Sequence, residues 1–268
     1  MLRTRLLSAA VFIPIAIGLM WVGGALYTAA LMVALAVCGW EFSRLPLRAE
    51  LRLNAVLTIS GILALMSVQA FQLHKLLMPT LSLILFSNLL MMVGRYGAEE
   101  YAALRFGLNV AAALYIGGLG MHLLALRQLE HGNYWLILTV VSTGMGDVGA
   151  YIIGSWRGKH KLAPKLSPNK TWEGYFGGVL FAALTGVLLA LFFAPVVRPR
   201  EGALIGVLVG ALSPLGDLAM SAFKRSAAVK DFGSIVPGHG GALDRFDTLL
   251  VGGTLGYYCI AWFMLGTF

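Results

Sequence analysis

The chain has 268 residues, 59% of them apolar or aromatic and only 12% charged, about half the ~25% usual in soluble domains. A mean hydropathy of +0.82 excludes an ordinary soluble globule, and Cys38 and Cys259, both inside apolar runs, exclude a disulfide framework and a structural zinc site. The formal net charge of +8 needs no nucleic acid as partner, because positive-inside loops facing anionic membrane lipids account for it.

Taken in chain order, nine stretches can cross hydrocarbon at ~20 residues each: 6–22, 24–43, 53–72, 75–93, 106–126, 134–153, 173–194, 203–221 and 246–266. The expected fold is an all-α integral membrane protein of about nine transmembrane helices. The first two stretches form one run, divided at the tight reversal Gly23-Gly24; undivided, they reduce the count to eight. With the N-terminus cytoplasmic, 16 of the 20 Lys and Arg fall on that side, and only Lys75, Arg127, Arg198 and Arg200 lie outside. Arg3 and Arg5 before an apolar run look like a signal peptide, but no small-residue cleavage pattern closes the run, so a retained first span is expected.

Residues 1–130 read as a scaffold of N-terminal transmembrane helices, and 131–268 as C-terminal helices carrying a cytoplasm-facing site. In the first part Glu41, Glu50, Glu99, Glu100 and Glu130 sit at span ends or in loops and read as solvated charge, while His74, His122 and His131 have no partner spacing. Gly202, Gly206 and Gly210, Gly252 and Gly256, and Gly174 and Gly178 repeat every four residues, a pattern that suits close helix packing.

The second part differs because carboxylates enter the spans: Asp147 in the sixth and Asp217 near the cytoplasmic end of the eighth. Such groups are unfavourable there unless they face protein, water or a cation, which leaves Asp147 either a structural partner or a site residue. Thr143-Gly-Met-Gly146-Asp147 and Ser213-Pro-Leu-Gly216-Asp217 share a hydroxyl four residues before the aspartate, either a degenerate repeat or a coincidence.

Asp217, Ser221 and Lys224 fall at i, i+4 and i+7 with Arg225 beside them, so one helical face carries a carboxylate, a hydroxyl and cations. Lys230-Asp231 then opens a loop with Gly233, Pro237, Gly238, His239, Gly240 and Gly241, and Asp244-Arg245-Phe246-Asp247 starts the ninth span. Two acids in a first turn are ordinary helix-start chemistry. Four that can converge, Asp217, Asp231, Asp244 and Asp247, supply hard oxygen ligands suited to Mg²⁺. The loop after the sixth span carries Arg157, Lys159, Lys161, Lys165 and Lys170, either positive-inside signal or an anion funnel. Its end, Ser167-Pro168, reads as the cap and first residue of the seventh helix. Walker A and Gly-x-Ser-x-Gly motifs are absent. The residues alone point to phosphoryl or nucleotidyl transfer on a membrane-borne phosphate, with a transporter as the non-enzyme alternative.

The run from Ser221-Ala-Phe-Lys224-Arg225 through Lys230-Asp231-Phe-Gly233 and Pro237-Gly238-His239-Gly240-Gly241 to Asp244-Arg245-Phe-Asp247 closely resembles the signature of the phosphatidate cytidylyltransferases, or CDP-diacylglycerol synthases. Lys165-Leu-Ser-Pro-Asn-Lys170-Thr-Trp-Glu173-Gly174 and Asp147-Val-Gly-Ala-Tyr151 look like the same family. The resemblance implies a bacterial inner-membrane enzyme of phospholipid biosynthesis that condenses CTP with phosphatidic acid to give CDP-diacylglycerol and pyrophosphate. It implies Mg²⁺ on Asp217 and Asp244, with Asp247 and Asp231 in support and room for a second cation; Lys224, Arg225 and Lys230 act on the phosphates. Substrate contacts are expected at Ser221, Lys170, Ser167, His239, Arg245 and Asp147. His239 reads as loop-shaping or phosphate-contacting rather than as a base, because the nucleophile is already anionic. A homodimer is compatible with this reading, and a polyprenol kinase using CTP is the related alternative.

Overall fold

The computed structural model describes residues 2–47, 51–97, 100–235 and 240–266, so Arg48, Glu50, Glu99, Pro237, Gly238 and His239 lie outside the described residues. The chain is 78% helical. Among the described residues the helices are α1 (Leu2–Val22), α2 (Gly24–Ser43), α3 (Ala55–Ala70), α4 (Leu77–Gly94), α5 (Ala102–Gln128), α6 (Gly132–Arg157), α7 (Trp172–Phe192), α8 (Pro199–Ser226) and α9 (Leu243–Tyr258). A two-stranded antiparallel hairpin, β1 (Lys161–Ala163) and β2 (Ser167–Thr171), is inserted between α6 and α7.

Among the described residues, six helical segments are long and apolar enough to cross a membrane: Gly24–Ser43, His74–Gly94, Ala102–Gln128, Gly132–Arg157, Trp172–Phe192 and Pro199–Ser226. Ala10–Val22 and Ala55–Ala70 are shorter apolar helices. The chain is therefore a helical integral membrane protein. The expected division of the first apolar run is present: α1 ends at Val22, and Gly23, at φ +68°, reverses the chain in the left-handed region that glycine enters without strain. Arg127 secures that end, its guanidinium donating to the carbonyls of Met20 at 2.9 Å and Trp21 at 3.2 Å, the exposed acceptors a helix C-terminus leaves.

The chain forms two compact units. The first comprises residues 1–15, 24–124 and 223–246; the second comprises 16–23, 125–222 and 247–268. The segment 223–246, which carries most of the signature, groups with the N-terminal helices.

In the first unit, Leu65, Ile84 and Ala113 form a buried cluster packed by Leu77 and Leu81. Asn54 starts α3, its side chain accepting from Leu57 N–H at 3.1 Å, a favourable N-cap. The same residue's N–H donates to Asn109 Oδ1 at 3.1 Å, and Thr58 Oγ1 donates to that oxygen at 3.4 Å. Asn54, Thr58 and Asn109 are thus partnered across helices.

The second unit is built on small residues. A Cβ on Gly206 would strike the Ala182 carbonyl and one on Gly202 the Gly186 carbonyl, so α7 and α8 meet backbone to backbone; Gly174 and Gly178 bring α7 equally close to α6. Gly252 and Gly256 lie against Thr143 and Thr139 of α6. The four-residue glycine repeats are packing surfaces, as small-residue spacing in membranes predicts.

Two expectations about helix boundaries are corrected. Ser167 and Pro168 lie in β2, not at the start of the seventh helix. The helix begins at Trp172 because Thr171 is extended (φ −129°, ψ 155°) and its hydroxyl accepts the Gly174 N–H at 3.1 Å. The eighth span is not one uninterrupted helix: α8 is broken at Ser213-Pro214 into Pro199–Leu212 and Pro214–Ser226, because proline has no N–H to give and its ring crowds the carbonyl four residues back. Tyr175 donates to the Ala211 carbonyl at 3.1 Å just before the break, supplying a donor where the helical ladder is interrupted.

Candidate functional site

The break at Pro214 explains where Asp217 stands. It occupies the first turn of the second half of α8, where unpaired N–H groups and the helix dipole favour a carboxylate. Within the second unit, Lys170 Nζ lies 2.7 Å from Asp217 Oδ2, and Ser221 Oγ donates to Asp217 Oδ1 at 3.2 Å. Lys170 reaches that oxygen from β2, so the hairpin is what presents it. Glu173 holds the base of the hairpin by accepting the backbone N–H groups of Lys159 at 3.1 Å and His160 at 3.2 Å, with His160 Nδ1 at 2.6 Å from its other oxygen.

A second carboxylate group of the same unit lies along α6 and α9. Asp247, buried, accepts the Thr248 N–H at 2.7 Å, and Thr248 Oγ1 donates to Asp147 Oδ2 at 3.1 Å. Gly216 packs directly on the Asp247 carbonyl, and Gly252 of α9 packs against both Thr143 and Ser213. The two similar pentapeptides, 143–147 and 213–217, thus both pack against α9. α6 runs unbroken through Asp147, so a matched pair of interrupted helices, the mark of a transporter, is absent among the described residues.

Within the first unit, Asp244 is the hub. Its side chain is 5% exposed, and Lys224 Nζ, 12% exposed, lies 2.7 Å from Oδ1. Oδ2 accepts the N–H groups of Phe232 at 2.9 Å and Gly241 at 3.0 Å, closing the signature loop onto its own helix start. Gly240, at φ +84°, separates Asp231 from Asp244: a Cβ there would lie 3.3 Å from an oxygen of each. The Lys224 ammonium lies over the Phe232 ring, with Nζ 5.5 Å from its centre.

The expected site residues therefore fall into two sets described unit by unit. Lys224, Asp231 and Asp244 gather in the first unit; Lys170, Asp217 and Ser221, and Asp147 with Asp247, gather in the second. Ser167, on β2, is half-buried, while Arg225, Lys230 and Arg245 are exposed; His239 lies outside the described residues. Among the described residues, no three His, Cys, Asp or Glu side chains are grouped closely enough to hold a metal ion together.

Sequence reasoning missed Glu41. It is not solvated loop charge but a carboxylate 1% exposed in the first unit, accepting the Leu243 N–H at 2.9 Å. An acid near the end of an apolar helix was the only signal available, because its partner lies 202 residues away.

Comparison with known proteins identifies the family. Residues 3–263 match the model of the cytidylyltransferase family. Among curated proteins, a phosphatidate cytidylyltransferase of Mycobacterium bovis is 40% identical over 121 residues, 45% of this chain and 39% of that protein. One from Staphylococcus epidermidis is 41% identical over 121 residues, 45% of this chain and 46% of that protein. A third, from Bacillus subtilis, is 38% identical over 158 residues, 59% of each. These matches span less than two thirds of the relatives' length. Because the family model covers nearly the whole sequence, the chain belongs to the cytidylyltransferase family.

Proposed function

We propose that the protein transfers a cytidylyl group from CTP to phosphatidic acid, giving CDP-diacylglycerol and pyrophosphate, at the cytoplasmic face of a bacterial inner membrane, with nine spans and the N-terminus inside. Two of the curated relatives' features support this directly: they share 38–41% identity with the chain and are named phosphatidate cytidylyltransferases. The observation that carries the reading within the molecule is that Asp217 and Asp244 each hold a lysine ammonium at 2.7 Å. Each carboxylate already accommodates a cation, and each offers the hard oxygen donors that Mg²⁺ prefers.

The residues assigned to Mg²⁺ are Asp217, supported by Asp247, in the second unit and Asp244, supported by Asp231, in the first. The ion would neutralise phosphate charge and orient the triphosphate. The chain's own contribution is positioning and countercharge. Lys170 and Lys224 sit at the carboxylates and are long enough to transfer their ammonium groups to phosphate oxygens; Arg225, Lys230 and Arg245, each exposed, add positive potential for an anionic nucleotide. Ser221 and Ser167 supply hydroxyl donors. The phosphatidate oxygen attacks the α-phosphorus of CTP in line, a P–O bond to pyrophosphate breaks, and the leaving group departs with its charge balanced by these cations. Since the nucleophile is anionic, no side chain has to remove a proton, and His239 is a loop or phosphate residue.

The test is purified protein incubated with labelled CTP, phosphatidic acid and Mg²⁺, with CDP-diacylglycerol as the expected product. Asp217→Asn and Asp244→Asn should each reduce turnover by at least about a hundredfold, on the scale of removing one electrostatic transition-state contact. Near-normal turnover with either would remove that residue from the ion-binding set. Complete loss on His239→Ala with folding intact would instead make it the base.

A further inference from the structure

The last turn of α2 contributes two adjacent buried residues to the signature segment. Phe42 packs edge-on to Phe223, with ring centres 5.1 Å apart, and stacks on Phe232 at 6.0 Å. Glu41 Oε2 accepts the Leu243 N–H at 2.9 Å, while Oε1, also buried, has no hydrogen-bond partner among the described residues. A buried carboxylate oxygen left in that state is unfavourable, so its position must be enforced by what surrounds it.

Two glycines of the signature enforce it. A Cβ on Gly233 would overlap Oε1, and one on Gly241 would lie 2.6 Å from Oε2 and 2.9 Å from the carboxyl carbon. The Glu41 carboxylate thus fills the space that the two missing side chains leave, and it binds the amide immediately before Asp244. Asp244 in turn ties Phe232 and Gly241 together through Oδ2.

We infer that Glu41 is a positioning residue: its carboxylate latches Gly233, Gly241 and Leu243 onto α2 and so fixes the orientation in which Asp244 and Lys224 meet the substrate phosphates. The inference rests on the cytidylyltransferase reading of Asp244 for its consequence, but not for its geometry. A misplacement of about 1 Å at such a residue is enough to cost about a hundredfold in rate.

The experiment compares Glu41→Ala, Glu41→Gln, Gly241→Ala and the Glu41→Ala/Gly241→Ala double variant by CTP-dependent turnover and by thermal unfolding in detergent. Glu41→Ala is expected to lower kcat about tenfold or more with KM for CTP little changed, and Glu41→Gln, which keeps the shape and an acceptor for Leu243, to restore most of it. Gly241→Ala should be damaging alone and nearly without further effect once Glu41 is Ala, because the added methyl then occupies vacated space. A Glu41→Ala enzyme with lowered Tm but unchanged kcat would overturn the positioning role, and strictly additive Tm losses in the double variant would overturn the latch. If the parent protein makes no nucleotide–lipid product, the functional reading fails, while the Tm coupling still decides the latch.

Discussion

Two lysine–aspartate pairs with the same 2.7 Å separation stand in different surroundings. Lys170 and Asp217, in the second unit, are 25% and 31% exposed; Lys224 and Asp244, in the first, are 12% and 5% exposed. Asp217 has one further donor, a neighbouring hydroxyl, whereas Asp244 also receives two backbone amides. Partly hydrated pairs contribute little to stability, whereas breaking a buried pair leaves a charge with nothing to compensate it. The comparison teaches that equal separations carry different energetics: the hairpin pair is partly hydrated, while the buried pair also ties down the backbone of Phe232 and Gly241.

The largest expected effect tests the buried member. Lys224→Ala should destabilise the protein by about 3–5 kcal/mol, the usual result of removing one partner of a buried ion pair, and should abolish turnover. Unfolding in detergent measures it. Replacing both members with apolar residues of similar size, Lys224→Met with Asp244→Leu, should recover part of the stability and none of the activity, apart from whatever the two lost backbone bonds contribute. A loss below about 1 kcal/mol for Lys224→Ala would place this pair with the exposed one and dissolve the contrast.

A smaller effect is expected from the support of the exposed pair. Thr171→Ala removes the hydroxyl that accepts the Gly174 N–H, at a cost of about 1 kcal/mol for a helix N-cap. Because Thr171 also pairs with Lys161 at the base of the hairpin, turnover should fall more than stability does. Equal retention of both would mean that the hairpin does not set the position of Lys170.

What could be read beforehand follows from how local the information is. The helices, the Gly23 reversal and the glycine packing faces were legible because hydropathy, φ > 0 preference and four-residue spacing are short-range signals. Asp217, Lys224 and Asp244 stood out because ionisable groups in or beside apolar spans are unfavourable unless partnered, and the structure partners each of them. The hairpin was not, because strands of three and five residues carry no alternation to detect. The break in α8 had its signal in Pro214, which span length alone outweighed. Glu41 was illegible in principle: only the folded chain brings α2 to Gly233, Gly241 and Leu243, and a lone acid near a helix end reads as solvent-facing until its partners are known.

The smallest stability change is expected at Lys170 itself, and it separates the two roles most cleanly. Lys170→Ala removes an ammonium that is a quarter exposed and paired with a carboxylate already supported by Ser221 and a helix start. Water and the first-turn amides can take over that support, so unfolding should shift by no more than about 1 kcal/mol. Turnover should nonetheless drop tenfold or more, on the order of a lost charged contact to phosphate. Added salt discriminates further: raising ionic strength from about 0.1 to 1 M shortens the screening length from about 10 to 3 Å. That change should weaken CTP binding through exposed Lys170, Arg225 and Lys230 while leaving the Tm contribution of Lys224 with Asp244 almost unchanged. If Lys170→Ala and Lys224→Ala lower Tm equally, the surroundings of the two pairs do not differ in the way their exposure indicates.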